Sequence, residues 1–136
     1  MLIVKWRYVN MGETSMKTFI RVMKALSDPN RVRVLKLLQE KELCVCEIKE
    51  VLGLAQSTVS KHMKILEDAG LVEKDRQGTW MIYSLADGSE SVYAETMLTK
   101  LSDWLENDKE LDKMRKALPA AAVQRNCAPQ SERIDQ

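Results

Sequence analysis

Between Leu43 and Gly70 the chain reads LCVCEIKEVLGLAQSTVSKHMKILEDAG, and the spacing of its apolar residues leaves little choice of fold. Ile48, Val51 and Leu52 recur at helical intervals, Gly53 offers a left-handed stop, and Val59, Met63, Leu66 and Ala69 form a second apolar stripe that Gly70 closes. A short helix, a turn and a longer helix make a helix-turn-helix. The wet side of the second helix begins with Gln56, Ser57, Thr58, Ser60, Lys61 and His62. These are short or forked hydrogen-bonding side chains at the end of a helix that normally enters a major groove first. Ala55, just before them, has no side-chain oxygen to cap the helix, a loss of around 1 kcal/mol.

The flanking sequence completes the unit. Phe19, Val22, Met23 and Leu26 give one helix face, and Ser27-Asp28-Pro29 then supplies a stop, an N-cap and a first-turn proline. A second helix to about Glu40 is expected to bury Val32, Leu35 and Leu38 and to leave Arg31, Arg33 and Lys36 in water. Leu71–Asp75 and Trp80–Leu85 read as two strands joined by Arg76-Gln77-Gly78-Thr79, a β-hairpin with glycine where the turn needs positive φ. Beside a recognition helix such a hairpin is a wing, and Arg76 and Lys74 are placed to reach DNA phosphates or a minor groove. From Ser89 a long helical pattern runs to Leu118 through Tyr93, Met97, Leu101, Trp104, Leu105, Leu111, Met114 and Leu118, weakened at Asn107-Asp108. A stripe this long predicts packing on its copy in a second subunit, with Phe19, Val22 and Met23 on the other side of the interface. The expected architecture is mainly α with a small β-hairpin, a winged helix-turn-helix paired through its first and last helices. It spans residues 16–118, between an amino-terminal arm at 1–15, for which Met11 and Met16 are alternative starts, and a flexible tail at 119–136.

At 136 residues the chain suits one domain with a modest core. Its 21 basic and 20 acidic residues give no overall basic field, but Met16–Lys41 has seven basic and two acidic residues, a net of +5, whereas Leu85–Leu118 has five basic and eight acidic, a net of −3. The first segment can approach phosphates while the second faces away. No secretory signal or membrane-spanning run is evident, so the expected compartment is a reducing cytoplasm. There the three cysteines are better ligands or sensors than disulfides. Without a Gly-rich phosphate loop, and with a single histidine lacking a nucleophile or acid beside it, the chain offers nothing that reads as an enzyme.

The quoted stretches resemble a known family, the ArsR-type (ArsR/SmtB) repressors that leave DNA on binding a toxic metal or metalloid. The resemblance is carried by ELCVCE at Glu42–Glu47, QSTVSKHMKILEDAGLV at Gln56–Val72, RQGTWMIYSL at Arg76–Leu85 and DPNRVRVL at Asp28–Leu35. It implies a homodimer on operator DNA, with Cys44 and Cys46 as soft-ion ligands and release of DNA as the response. Some arsenic sensors of this type carry a third cysteine where this chain has Lys49. Cadmium and lead sensors that share the box add cysteines from the amino-terminal arm, and Met1–Glu42 holds none; zinc and nickel sensors use histidines and carboxylates on the last helix, yet the one histidine is His62. As(III) or Sb(III), content with two or three thiolates, fits best. The alternatives are another soft metal such as cadmium or lead, or a thiol redox or persulfide signal. Cys127, nine residues beyond Leu118, is a candidate third ligand within a reach of roughly 30 Å; an unpaired tail cysteine is the competing reading, with a small thiol or water completing the site.

Placed on one regular helix, Cys44 and Cys46 would point roughly 200° apart, so an ion held by both would have to unwind or tilt the first turn. Near a helix start, unpaired N–H groups favour thiolate. The bland alternative is two small buried apolar residues.

Overall fold

The protein is described here by a computed structural model covering residues 15–118. The arm to residue 14 and the tail from residue 119, with Cys127, lie outside the described residues. The elements run α1 (Met16–Ala25), α2 (Pro29–Leu38), β1 (Leu43–Cys44), α3 (Val45–Leu52), α4 (Gln56–Asp68), β2 (Val72–Gln77), β3 (Trp80–Leu85), α5 (Val92–Leu101) and α6 (Lys109–Ala117). This is the expected mainly helical chain with a small antiparallel sheet, and α3 and α4 are the helix-turn-helix.

Local signals set most boundaries. Asp28 caps α2 by accepting from the N–H of Asn30 at 2.8 Å and of Arg31 at 3.4 Å, with Pro29 following in the first turn. Gly53 takes φ 69 at the end of α3. At the end of α4, Leu71 N–H donates to Leu66 O and Gly70 N–H to Glu67 O, each at 3.0 Å, the paired bonds of a Schellman motif. Gly70 sits at φ 76, and a Cβ there would meet Glu90 Cβ at 2.6 Å, so both conformation and space require glycine.

The wing differs in detail from its expected form. Arg76 and Gln77 belong to β2, paired with Met81 and Trp80, and only Gly78-Thr79 turn the chain. A third strand, β1, pairs antiparallel with β3, Leu43 opposite Tyr83 and Cys44 opposite Ile82, so the sheet order is β1-β3-β2. Two residues are too short to carry a periodic strand signal. The pairing ties the cysteine box directly to the wing.

Two further expectations are corrected. Lys36 is fully buried rather than wet: its ammonium donates to the carbonyls of Leu101 (2.6 Å) and Trp104 (2.7 Å) and to the Glu106 carboxylate. It thereby holds the carbonyl end of α5, where a cation satisfies orphan acceptors and opposes the helix dipole. That bond from Lys36, acting against a small desolvation effect, keeps the Glu106 carboxyl below the ordinary range. The long last helix is also broken. Residues 102–107 are turns, Leu105 has φ 63, and Asp108 caps α6 by accepting from Leu111 N–H at 2.9 Å. Past this break the lower stripe folds back on its own chain: Leu111 is core, Met114 and Leu118 pack against it, and Arg33–Glu110 (3.3 Å) ties α6 to α2.

Val22 and Leu101, expected at a subunit interface, are instead buried in this chain's own core. Phe19 meets Tyr93 edge-on at 5.2 Å, joining α1 to α5. Met97 is partly buried and Met23 packs against the core, while Met16, Phe19 and Ile20 keep exposed surface on α1, and Trp104 (50% exposed) and Leu105 (47%) do so on the turn.

Asp28 provides a pH test. Partial burial acts to raise its carboxyl, but the Asn30 and Arg31 N–H groups outweigh this, and it titrates below its ordinary value of 3.8. A depressed folded value means the cap contributes fully above the unfolded value and fades as pH falls through the folded one. Asp28→Ala should cost about 1 kcal/mol near neutrality. In urea melts its gap from the wild type should narrow below about pH 4, while Asp28→Asn should keep most of the cap with a flatter pH profile.

Candidate metal-ion and nucleic-acid sites

Cys44 is not inside a helix. It is the extended N-cap of α3 (φ −91, ψ 166) and the last residue of β1, while Cys46 lies in the first turn of α3. The regular-helix geometry that would drive their side chains apart therefore does not apply. Both are nearly inaccessible and share one small cluster with Ile82, against which Trp80 packs.

Glu47 organises this site, and the sequence reading overlooked it. It is buried, and its Oε1 accepts the Cys44 N–H at 2.9 Å, the glutamate half of a capping box. The spacing was visible, a glutamate three residues after the cap, but cysteine is not among the usual capping residues, so the pattern did not register. Of the three cysteines, Cys127 lies outside the described residues. Among the described residues no group of three His, Cys, Asp or Glu side chains converges. A soft ion on Cys44 and Cys46 thus fits a two-thiol site that draws any further donor from elsewhere.

The candidate nucleic-acid surface lies on α4. Val59, Met63 and Leu66 are buried, while Ser57, Thr58 and Lys61 are exposed and Gln56 and Ser60 half-exposed, so the apolar period turns the polar residues outward. No side chain caps α4 at Ala55. His62 is half-buried, and because a guanidinium can only donate, its Nδ1, 3.1 Å from Arg31 Nη1, is the acceptor. On the wing, Arg76 is exposed on β2, whereas Lys74 is 3.8 Å from the Glu67 carboxylate. The sheet is continuous from Cys44 to Arg76 through β3, and α3 packs on α4. Among the described residues no helix is long and apolar enough to cross a membrane.

Comparison with known proteins agrees with this layout. Residues 28–74 match the family described as "Bacterial regulatory protein, arsR family". Over 67 residues the chain is 43% identical to an uncharacterized HTH-type transcriptional regulator of Methanocaldococcus jannaschii, covering 48% of this chain and 75% of that protein. It is 38% identical over 73 residues to the arsenical resistance operon repressor of Bacillus subtilis, covering 53% and 70%. Among solved structures, a homodimeric winged helix-turn-helix DNA-binding domain from Mycobacterium bovis, a possible ArsR-family regulator, superposes with TM-score 0.53 at 29% identity, covering 68% of this chain and 89% of that one.

The two candidate contact groups, α4 and the wing, separate experimentally. Arg76→Ala should weaken binding to all duplexes alike and lower the slope of log K against log salt by about 0.9 per protomer, whereas Gln56→Ala should change base preference with little effect on the slope. Fluorescence anisotropy on operator and scrambled duplexes from 50 to 200 mM salt distinguishes them, and unchanged binding by both variants would reject this placement.

Proposed function

This chain belongs to the ArsR family of bacterial regulatory proteins, DNA-binding transcriptional regulators and not enzymes, and we propose that it is a metalloid-responsive repressor. It binds operator DNA as a homodimer and is released when As(III) or Sb(III) takes the thiolates of Cys44 and Cys46. The observation that carries this reading is the position of Cys44. It is the N-cap residue of the helix that packs on α4, its N–H is held by Glu47, and its backbone pairs with β3 of the wing. An ion that drew the two sulfurs together would disturb this start of α3 and pull on β1. A hydrogen bond of this kind is worth about 1 kcal/mol and coupling between sites typically about 1–3 kcal/mol, so this displacement is of the size a release switch needs. Likeness to an arsenical resistance operon repressor supports the choice of metalloid. Gln56, Ser57, Thr58, Ser60, Lys61 and His62 would serve the major groove, with Arg76 and Lys74 on the wing.

A thiol redox or persulfide signal is the second reading, and the placement of Cys44 and Cys46 in one buried cluster is the observation that favours it. Cadmium or lead is less well served, since those ions want more donors than two sulfurs supply. In the proposed dimer, Phe19, Met23, Tyr93, Trp104 and Leu105 contribute surface, while Val22 and Leu101 act from the core beneath. Trp104→Ser with Leu105→Ser should shift sedimentation at micromolar concentration toward monomer and leave the circular dichroism unchanged.

In mobility shifts under reducing conditions, Cys44→Ser and Cys46→Ser should each bind operator and lose the arsenite response, because serine keeps the size but is a poor soft-ion ligand. Cys127→Ser should still respond, at higher arsenite if its sulfur is a third ligand. Loss of response to a persulfide donor but not to arsenite in the Cys46 variant would select the redox reading. An arsenite-blind Cys127 variant beside a normal Cys44 variant would move the sensor away from the box.

A further inference from the structure

We infer that Lys17, Arg21 and Lys24 of α1 form a phosphate-binding strip that grips the DNA backbone along one flank of the recognition helix α4, a contact surface outside the helix-turn-helix and the wing. The inference rests on the DNA-binding reading above. The three residues are spaced i, i+4 and i+7, so they share one side of α1. Phe19 and the buried Val22 lie on the opposite side of the helix, while the exposed Ile20 and the buried Ala25 border the strip. All three cations are exposed, and among the described residues none is in an ion pair.

The strip lies where a duplex would pass. Arg21, Lys24, Ser27 and Arg31 join Ile65 and Asp68 of α4 around a concavity of about 540 Å³. Ile65 is exposed four residues after Lys61, and Asp68 three residues later, so both continue the outward face that starts with Ser57 and Thr58. The concavity therefore opens on the side of α4 turned to DNA. Three local features keep it receptive to anions. Arg31 donates to the carbonyls of Ala25 (2.8 Å) and Lys24 (3.1 Å), covering the negative end of α1. Asp68 is held by Lys64 at 3.3 Å, and α1 has no acidic residue at all.

The length of the strip selects a polyanion over a single small anion. From Lys17 to Lys24 it spans about 10 Å of helix axis at 1.5 Å per residue, the rise of roughly three nucleotides along one strand. Backbone contact carries no sequence information, so the strip should add affinity and orientation, not base choice.

The test uses the full chain and a random-sequence duplex of about 30 base pairs, long enough for two half-sites one turn apart. Wild type, Arg21→Ala/Lys24→Ala and Lys17→Ala/Arg21→Ala/Lys24→Ala are compared by anisotropy from 50 to 200 mM salt. Each lost contact should reduce the slope by about 0.9, so the double variant should lose nearly 2 units of slope per protomer, or nearly 4 for a dimer on two half-sites. Operator binding should weaken by the same factor, with thermal melts unchanged. Wild-type binding with an undiminished slope in both variants overturns the strip and leaves the repressor reading standing; a wild type that binds no duplex overturns both. Millimolar inorganic phosphate shifting the Arg21 and Lys24 amide resonances while the DNA salt slope stays unchanged would make this a small-anion site, and the inference would be wrong.

Discussion

The bond from the Cys44 N–H to the buried Glu47 carboxyl fixes where α3 begins, and much of the functional half of the molecule follows from that start. A helix end leaves N–H groups that must find partners when buried, and here the partner is a side chain three residues ahead. With α3 started at Val45, Cys44 stays extended and pairs with Ile82. The wing is thereby attached to the helix-turn-helix at its base. The two sulfurs come to share one apolar cluster because one precedes the helix and the other enters it.

Lys36 plays a comparable part on the opposite side. An ammonium taken fully out of water is expensive unless every donor is used, and this one is used by two carbonyls and a carboxylate. All three acceptors belong to the end of α5 and the turn after it, so satisfying the lysine sets the path of residues 101–106. That path splits a long apolar stripe in two. The Leu111–Leu118 half covers its own core, and the Trp104–Leu105 turn stays exposed. Among the described residues, this turn and α1 carry most of the large exposed apolar side chains.

Charge is distributed in the same spirit. The basic residues of α1 border the outward face of α4, while the acidic excess gathers beyond the wing in α5, the turn and α6, where Arg33–Glu110 and the contacts of Arg115 with Glu40, Glu106 and Asp112 use part of it. Exposed pairs of this kind are each worth little. Their arrangement still leaves one side of the molecule positive and unencumbered, which suits a polyanionic partner.

The sequence by itself determined the helix-turn-helix, the wing and the α1–α2 junction, because each is governed by local rules. Apolar residues at helical period specify α3 and α4, Asp28-Pro29 specifies the start of α2, and Gly53, Gly70 and Gly78 occupy positive φ where the chain must turn. The polar face of α4 was legible for the same reason. Tertiary structure alone decided the burial of Lys36, the break at residues 102–107, the strand at Leu43–Cys44 and the turn of His62 toward Arg31. Each of these depends on a partner between about 30 and 70 residues away, such as Leu101 for Lys36 and Ile82 for Cys44, and periodicity within one segment holds no record of it. The cysteine site was legible as chemistry and not as geometry: two thiols in that box were visible, but an extended Cys44 required the strand partner that only the folded chain supplies.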